Sequence, residues 1–160
     1  MRGCYVAAEG LDYSGKTTQI RKLVDRGYLD MRDWMITREP GGTKFAEGIR
    51  NLLRDSDYDP EPMAEFFAFN AARADKIIKE VVPSLKRRKS VFSNRCAVAT
   101  YAYQGSSNKL GMSSDEMWEM CTRVIGGYWP DVIVYYDVSL ETIEVRKGMR
   151  SEQMDRIDQK

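Results

Sequence analysis

The sequence predicts one α/β domain spanning residues 1–160, a three-layer sandwich in which helices cover both faces of a parallel β-sheet. Short apolar runs alternate with amphipathic segments along the chain, and a glycine-rich turn directly follows the first apolar run. Alternation of this kind favours a parallel sheet, because consecutive parallel strands must be joined by crossovers that pack on the sheet. A chain of 160 residues is also long enough to bury a substantial core.

Four short apolar runs are predicted to form the strands of this sheet. The first and the last are apolar almost throughout, which is typical of parallel strands buried on both faces. The predicted strands span residues 2–9, 34–37, 90–93 and 132–136.

The segments between these strands carry apolar residues at helical spacing. Thr43 and Ser114 stand where N-caps are expected, and Gly27 and Gly126 follow positions where the helical pattern stops. The predicted helices span residues 15–26, 43–53, 62–82, 97–103, 114–125 and 140–147.

The longest predicted helix, residues 62–82, has side chains of interest on two faces. At about 100° per residue, Phe69 and Arg73 fall together and lie away from the apolar stripe. They either form a second buried face or contact a ligand, and the pattern leaves both interpretations open. The stripe itself comprises Met63, Phe66, Phe67, Asn70, Ala74, Ile77, Ile78 and Val81.

The glycine-rich turn matches the pattern G-x-x-x-x-G-K-[ST] from Gly10 to Thr17. Its glycines let successive N–H groups point at phosphate oxygens, and the next helix directs its N-terminus at the same anion. Lys16 supplies a cation for the β- and γ-phosphates, and the Thr17 hydroxyl suits Mg²⁺. A chance glycine turn rarely matches every position in a strand–loop–helix context. The predicted ATP phosphate-binding residues are Gly10, Asp12, Tyr13, Ser14, Gly15, Lys16, Thr17 and Thr18.

Two arginines directly follow predicted strands, Arg38 after the second and Arg95 after the third. The carboxyl ends of parallel strands meet at one edge of an open α/β sheet, and ligands bind there. A guanidinium group can engage two phosphate oxygens at once. The sequence therefore predicts that Arg38, Arg95 and the phosphate loop share one site.

The composition argues against several classes of function. Lys and Arg number 25 and Asp and Glu number 24, so a net charge of +1 argues against nucleic-acid or membrane partners. The chain has no histidine, which removes the commonest general base. Three widely spaced cysteines suit a reducing cytoplasm, and no apolar run is long enough to span a membrane.

Several segments, in order along the chain, resemble the thymidylate kinase family of P-loop nucleoside monophosphate kinases. The Arg-Glu-Pro-Gly-Gly-Thr and Ala-Tyr-Gln-Gly segments are much more specific than the phosphate loop, which many proteins share. The matching segments are Glu9–Asp12, Gly15–Gln19, Thr37–Thr43, Phe69 with Arg73, Asn94–Arg95, Ala102–Gly105, Pro130–Asp131 and Asp155–Asp158.

The resemblance implies an enzyme that phosphorylates dTMP to dTDP for dTTP synthesis, with ATP and Mg²⁺ and as a homodimer. It also implies a lid segment at about residues 146–158 that carries arginines. The implied catalytic residues are Lys16, Arg95, Arg150 and Arg146, and Thr17 is the implied Mg²⁺ ligand. The implied dTMP-binding residues are Glu9, Arg38, Phe69, Arg73, Arg95, Thr100, Tyr103 and Gln104.

The sequence departs from the family pattern in two places. Asn94 stands where the family usually has Asp, so one carboxylate is replaced by an amide. The chain also stops soon after the lid, so we expect the last strand and helix of the family fold to be missing and the adenine pocket to be open. These departures leave one alternative, a catalytically weak nucleotide-binding protein. A kinase with a broad range of deoxynucleotide acceptors is a second alternative, because the sequence does not give the shape of the pocket around Phe69, Arg73 and Gln104.

Overall fold

The computed structural model describes residues 1–105 and 110–149, which contain a four-stranded sheet. The strands are Tyr5–Glu9 (β1), Trp34–Arg38 (β2), Ser90–Asn94 (β3) and Val132–Tyr135 (β4). They lie in the order β2-β3-β1-β4, and each neighbouring pair is parallel. The predicted α/β class and all four predicted strands are therefore confirmed.

Helices cover both faces of this sheet. On one face Tyr5 packs with Leu85, and on the other Val6 and Phe92 pack around Ile20, so alternate strand residues enter different cores. Within the described residues, no helix is both long and apolar enough to cross a membrane. The helices are Lys16–Asp25 (α1), Lys44–Arg54 (α2), Pro62–Lys76 (α3), Val82–Lys86 (α4), Ala97–Gly105 (α5), Ser114–Ile125 (α6) and Leu140–Gly148 (α7).

The longest predicted helix differs from the observed one. A π-helical segment, Ile77–Val81, lies between α3 and α4. Pro83 lies two residues after this wide turn and has no N–H to donate to the carbonyl group of Lys79. The predicted apolar stripe is also wrong in part, because Phe67 is 49% and Ile78 is 65% exposed.

The face of α3 that is buried carries polar side chains. Glu65, Asn70, Arg73 and Lys76 are all buried, beside the apolar Phe66. These polar groups satisfy one another, as the site geometry below describes, so burial does not require an apolar pattern. Apolar periodicity therefore identified only part of the buried surface: Phe66 and Asn70 of the predicted stripe are buried, but so are Arg73 and Lys76, which lie outside it.

The prediction that the fourth strand is buried is wrong. The side chains of β4 are 40% to 63% exposed. In the described part of the chain β4 pairs only with β1, and α7 contributes no buried residue. An apolar run therefore forms an open edge of the sheet.

The ends of two helices test the predicted caps. The Thr43 hydroxyl accepts the backbone N–H of Ala46, which confirms that cap of α2. For α6 the predicted cap was Ser114, but Ser113 is the N-cap and exchanges hydrogen bonds with Glu116 in a capping box. The prediction was one residue too late, because Glu116 at the third helical position pairs with the earlier serine.

Candidate active site

The carboxyl ends of β1, β2 and β3 bring three loops to one edge of the sheet. Asn94 at the end of β3 is in register with Ala8 on one side and with Arg38 on the other. The backbone N–H groups of Glu39 and Arg95 donate to the carbonyl oxygens of Asn94 and Ala8, each at 2.9 Å. The loops that follow the three strands therefore begin side by side, as the predicted topology required.

The phosphate loop uses backbone conformations that favour glycine. Gly10 has φ of 139°, Gly15 has φ of 98°, and Tyr13 also has a positive φ of 62°. A Cβ on Gly10 would lie 2.7 Å from the carbonyl oxygen of Tyr136, so a side chain does not fit there. Gly15 is the N-cap of α1, and the first N–H groups of the helix open towards the loop.

Lys16 closes the phosphate loop from the inside. Its ammonium nitrogen donates to the carbonyl oxygens of Gly10 at 2.9 Å and Leu11 at 2.6 Å, and to the Ser14 hydroxyl at 3.3 Å. Burial, followed by the nearby charge of Arg95, lowers the pKa of Lys16 from 10.5 to about 8. These three hydrogen-bond acceptors are neutral, so a phosphate oxygen can replace them with a stronger, charge-assisted hydrogen bond.

A cavity of about 860 Å³ opens beside the phosphate loop. This volume lies in the range of small-molecule sites. The residues of the predicted site that line the cavity are Asp12, Phe69, Arg73, Arg95, Thr100, Tyr103 and Gln104. Glu9 and Arg38, which were also predicted to bind dTMP, are not among the residues that line it.

Arg73 is buried in the wall of this cavity and is held on three sides. Its Nε donates to Glu39 at 2.8 Å, one Nη donates to Asn70 at 2.8 Å, and the other donates to the Thr100 hydroxyl at 2.6 Å. Burial alone would raise the pKa of the Glu39 carboxyl, but the charges of Arg73 and Lys76 outweigh burial and hold that pKa below its usual value. The guanidinium group is thus fixed before any ligand arrives.

Arg95 connects the cavity with the phosphate loop. Its Nη2 donates to the Asp12 carboxylate at 2.6 Å and to the Tyr103 hydroxyl at 3.2 Å, and its guanidinium lies 5.1 Å from the Tyr103 ring centroid. Arg95 has a positive φ of 74°. Asp12 belongs to the phosphate loop, so this contact joins the two predicted substrate sites.

Neither Glu9 nor Arg38 lines the cavity, although the Glu9 carboxylate lies 3.8 Å from the guanidinium of Arg95, which does. The buried Glu9 carboxylate accepts the backbone N–H of Cys96 at 2.8 Å, so it supports the segment that follows Arg95. Arg38 is exposed, pairs with Glu47 at 2.8 Å, and lines a second, smaller cavity of about 500 Å³.

Phe69 and Gln104 both line the cavity. Phe69 is half-buried, and a carboxylate holds the side-chain amide of Gln104. The Gln104 amide nitrogen donates to Glu65 at 3.2 Å, and Glu65 is itself buried. Phe69 lines the cavity with part of its ring exposed. An aromatic ring and an oriented amide therefore line the same cavity as Arg73.

The surroundings of Thr17 offer few protein ligands for Mg²⁺, so phosphate oxygens would supply most of the ligands of the ion. The Asn94 amide donates to the Thr17 hydroxyl oxygen at 2.9 Å. Among residues 1–105 and 110–149, no group of three or more His, Cys, Asp or Glu side chains is arranged to hold a metal. Mg²⁺ commonly takes one or two protein ligands and substrate phosphates for the rest, and the Thr17 hydroxyl suits that role.

The lid segment is described only at its start. Arg146 of α7 is exposed and donates to the carbonyl oxygen of Tyr13 at 3.0 Å, so it lies over the phosphate loop. Arg150 and the segment Asp155–Asp158 lie outside the described residues.

The fold and the site together define a class, a P-loop kinase with an acceptor cavity beside its phosphate loop. A family model described as thymidylate kinase matches residues 8–160. The chain belongs to the thymidylate kinase family. This finding confirms the predicted resemblance and the predicted enzyme class, dTMP kinase.

Individual relatives agree with the family match. The chain is 35% identical to a thymidylate kinase of Mesoplasma florum over 158 residues, which are 97% of this chain and 73% of that protein. It is 38% identical to a thymidylate kinase of Halothermothrix orenii over 141 residues, 88% of this chain and 67% of that one. A crystal structure of thymidylate kinase from Ehrlichia chaffeensis superposes with a TM-score of 0.77 at 31% identity, covering 91% of this chain and 82% of that one.

The sequence analysis assigned no role to Glu39, Glu65 or Lys76, which are all buried at the site. Lys76 lies three residues after Arg73, so both fall on the same side of α3. A cation three residues from a predicted ligand-binding arginine was the available signal. The carboxylate that pairs with both could not be found without the fold, because Glu39 lies on another loop.

Proposed function

We propose that this protein transfers the γ-phosphoryl group of ATP to dTMP in the cavity beside the phosphate loop, giving ADP and dTDP for dTTP synthesis. The observation that carries this assignment is the contact between Arg95 and Asp12, because it makes the acceptor cavity and the phosphate loop adjoin. Phosphoryl transfer depends mainly on positioning and on charge stabilisation, so a chain without histidine can catalyse it.

The thymine ring is proposed to stack on Phe69, with its polar edge towards Arg73. Three of the five N–H groups of Arg73 donate to protein partners, which leaves hydrogens on both Nη atoms for a base carbonyl oxygen. Gln104 is proposed to contact the base edge, with Thr100 and Tyr103 near the base and sugar. The support for this orientation is that these side chains share one cavity.

The acceptor phosphate is proposed to bind Arg95 and Arg38. Each arginine has a carboxylate partner in the free protein, Asp12 for Arg95 and Glu47 for Arg38. A phosphate dianion offers the same bidentate geometry with more charge, so it can compete for both. Arg38 would have to leave Glu47, because its side chain now lines the other cavity.

The donor phosphates are proposed to lie in the phosphate loop, with the backbone N–H groups and Lys16 as their partners. Thr17 would hold Mg²⁺, which supplies charge neutralisation at the β- and γ-phosphates. Arg146 already lies over the loop, and this supports a role in covering the transferred group. Arg150 remains a prediction for the same role.

We also propose a homodimer that uses the outward side of α3 and of the π-helical segment that follows it. Phe67 is 49% and Ile78 is 65% exposed, and a spacing of 11 residues returns them to the same side of a helix. The neighbouring α2 exposes Phe45 and Leu52. Exposed apolar side chains on adjacent helices are typical of protein interfaces.

A cytoplasmic location is proposed from the cysteines. All three are in the described part of the chain, and none forms a disulfide. Free cysteines are typical of a reducing compartment.

One observation favours a second candidate, a nucleotide-binding protein with weak catalysis. Asn94 donates a hydrogen bond to Thr17, whereas a carboxylate at that position would accept one. The proposed Mg²⁺ ligand then has one lone pair already occupied, and the site lacks one negative charge.

An ADP-release assay with ATP, Mg²⁺ and a panel of dTMP, dUMP, dCMP and dGMP tests the proposal. We expect turnover with dTMP to exceed turnover with each of the others. Comparable turnover on several acceptors would show a broad-acceptor kinase. Binding of dTMP by calorimetry without any turnover would support the weak nucleotide-binding protein and contradict the proposal.

A further inference from the structure

We propose that Lys76 is a positioning residue whose buried ammonium group fixes the strand ends that carry Arg38 and Arg95. This inference rests on the proposed binding of the acceptor phosphate by those two arginines. Lys76 is fully buried, at 0% exposure, and borders the cavity without reaching its solvent. It therefore acts through other groups and not by direct contact with substrate.

The Lys76 ammonium group donates two hydrogen bonds and forms one longer ion pair. The nitrogen lies 3.1 Å from the carbonyl oxygen of Arg38, 3.0 Å from the Ser93 hydroxyl, and 3.5 Å from the Glu39 carboxylate. Arg38 and Glu39 belong to the end of β2 and its loop, and Ser93 belongs to β3. One side chain of the helical layer thus connects the ends of two neighbouring strands.

The contact with Ser93 extends to Arg95. Ser93 is fully buried, accepts from Lys76 and donates its own hydrogen to the carbonyl oxygen of Arg95 at 2.7 Å. Arg95 has φ of 74°, a conformation that non-glycine residues adopt only when their surroundings enforce it. The chain of hydrogen bonds from Lys76 is one part of those surroundings.

The contact with Glu39 extends to Arg73. One Glu39 oxygen faces Lys76 at 3.5 Å, and the other accepts from Arg73 at 2.8 Å. Lys76 and Arg73 therefore share one carboxylate, which fixes the direction in which the Arg73 guanidinium points. All three arginines of the proposed acceptor site are linked to a single buried cation.

Burial of a lysine has a cost that an apolar residue would avoid. Replacing a buried ion by an apolar residue of similar size is often neutral or stabilising. Methionine has a similar length, and Glu39 would keep Arg73 as its partner. If Lys76 only filled space, Lys76→Met would leave the kinetics of dTMP unchanged. If it positions the arginines, the variant loses acceptor binding even when it remains folded.

Steady-state kinetics of Lys76→Met, Val81→Ala and the wild type separate these outcomes. Val81 is 0% exposed and lies five residues further along the same helical layer, in an apolar cluster, so it controls for lost stability alone. We expect Lys76→Met to raise the KM of dTMP about tenfold, the equivalent of about one hydrogen bond at 1.4 kcal/mol per decade. The KM of ATP should stay within about twofold, and Val81→Ala should change neither KM.

Ser93→Ala gives a second variant, which removes the hydroxyl that accepts from Lys76 and donates to the carbonyl oxygen of Arg95. We expect it to raise the KM of dTMP about threefold, and it carries the test if Lys76→Met does not fold. An unchanged KM of dTMP in the folded variants, or an equal rise for ATP, would overturn the role of Lys76. A wild type with no activity on dTMP would instead contradict the proposed function itself.

Discussion

Replacing Phe69 by alanine tests the proposal that the thymine ring stacks on this side chain. Phe69 lines the cavity and is half-buried, whereas its neighbour Phe66 is fully buried at 0% exposure. Truncation of Phe66 would leave a void in the core, but truncation of Phe69 mainly enlarges the cavity. The change at Phe69 is therefore expected to weaken binding more than it weakens the fold.

The expected size of the effect comes from the loss of a stacking surface. An aromatic platform under a base contributes about 1–3 kcal/mol. The variant should therefore bind dTMP about 5-fold to 150-fold more weakly than the wild type. The ATP phosphates are proposed to bind in the phosphate loop, apart from Phe69, so the affinity for ATP should change little.

Calorimetric titration with dTMP and separately with ATP measures both affinities. Phe45→Ala is a matched control, because Phe45 is 54% exposed and is not among the residues that line either cavity. We expect the control to bind both nucleotides as the wild type does. Equal loss of dTMP and ATP affinity in Phe69→Ala, or no loss of dTMP affinity, would refute the stacking role of Phe69.

Three further predictions follow from the site and the surface. Asn94→Asp should raise kcat about threefold to tenfold, since a carboxylate accepts the hydroxyl hydrogen of Thr17 and adds a negative charge beside the proposed Mg²⁺ ligand. An unchanged or lower kcat would show that the amide is sufficient for catalysis. The pKa of Lys16 is lowered to about 8, so the affinity for ATP, measured by titration, should fall as the pH rises through 8 and the free protein loses the cation. Constant affinity to pH 9.5 (roughly 1.5 units above that pKa) would contradict this. In sedimentation the wild type should be a dimer and Phe67→Glu with Ile78→Lys a monomer, and a monomeric wild type would remove the dimer proposal.

The fold was predictable because its signals are local. The phosphate-loop pattern from Gly10 to Thr17 combines a strand end, a turn and a helix start within a few residues. The strands were found because short apolar runs between turn residues have few other interpretations. Phe69 and Arg73 were recognisable because the regular turn of about 100° per residue places both on one side of the helix, away from its apolar stripe.

The errors came from partners that are distant in the sequence. The buried side of α3 carries Arg73 and Lys76, and their burial depends on Glu39, which is 34 residues from Arg73. No pattern within one helix reveals that compensation, so the apolar stripe was assigned to a side where Phe67 is exposed. The exposure of β4 likewise depends on what neighbours it in the sheet, and an apolar run alone does not report that.

A crystal structure of the protein with dTMP bound would show directly whether dTMP occupies the cavity beside the phosphate loop. We expect the thymine ring to stack on Phe69 and a base oxygen to lie within hydrogen-bond distance of Arg73. We expect the phosphate to bind Arg95 after Arg95 is released from Asp12. The same structure should show Arg38 turned from Glu47 towards the phosphate. A dTMP molecule bound in the second cavity, or with its base away from Phe69 and Arg73, would contradict the account.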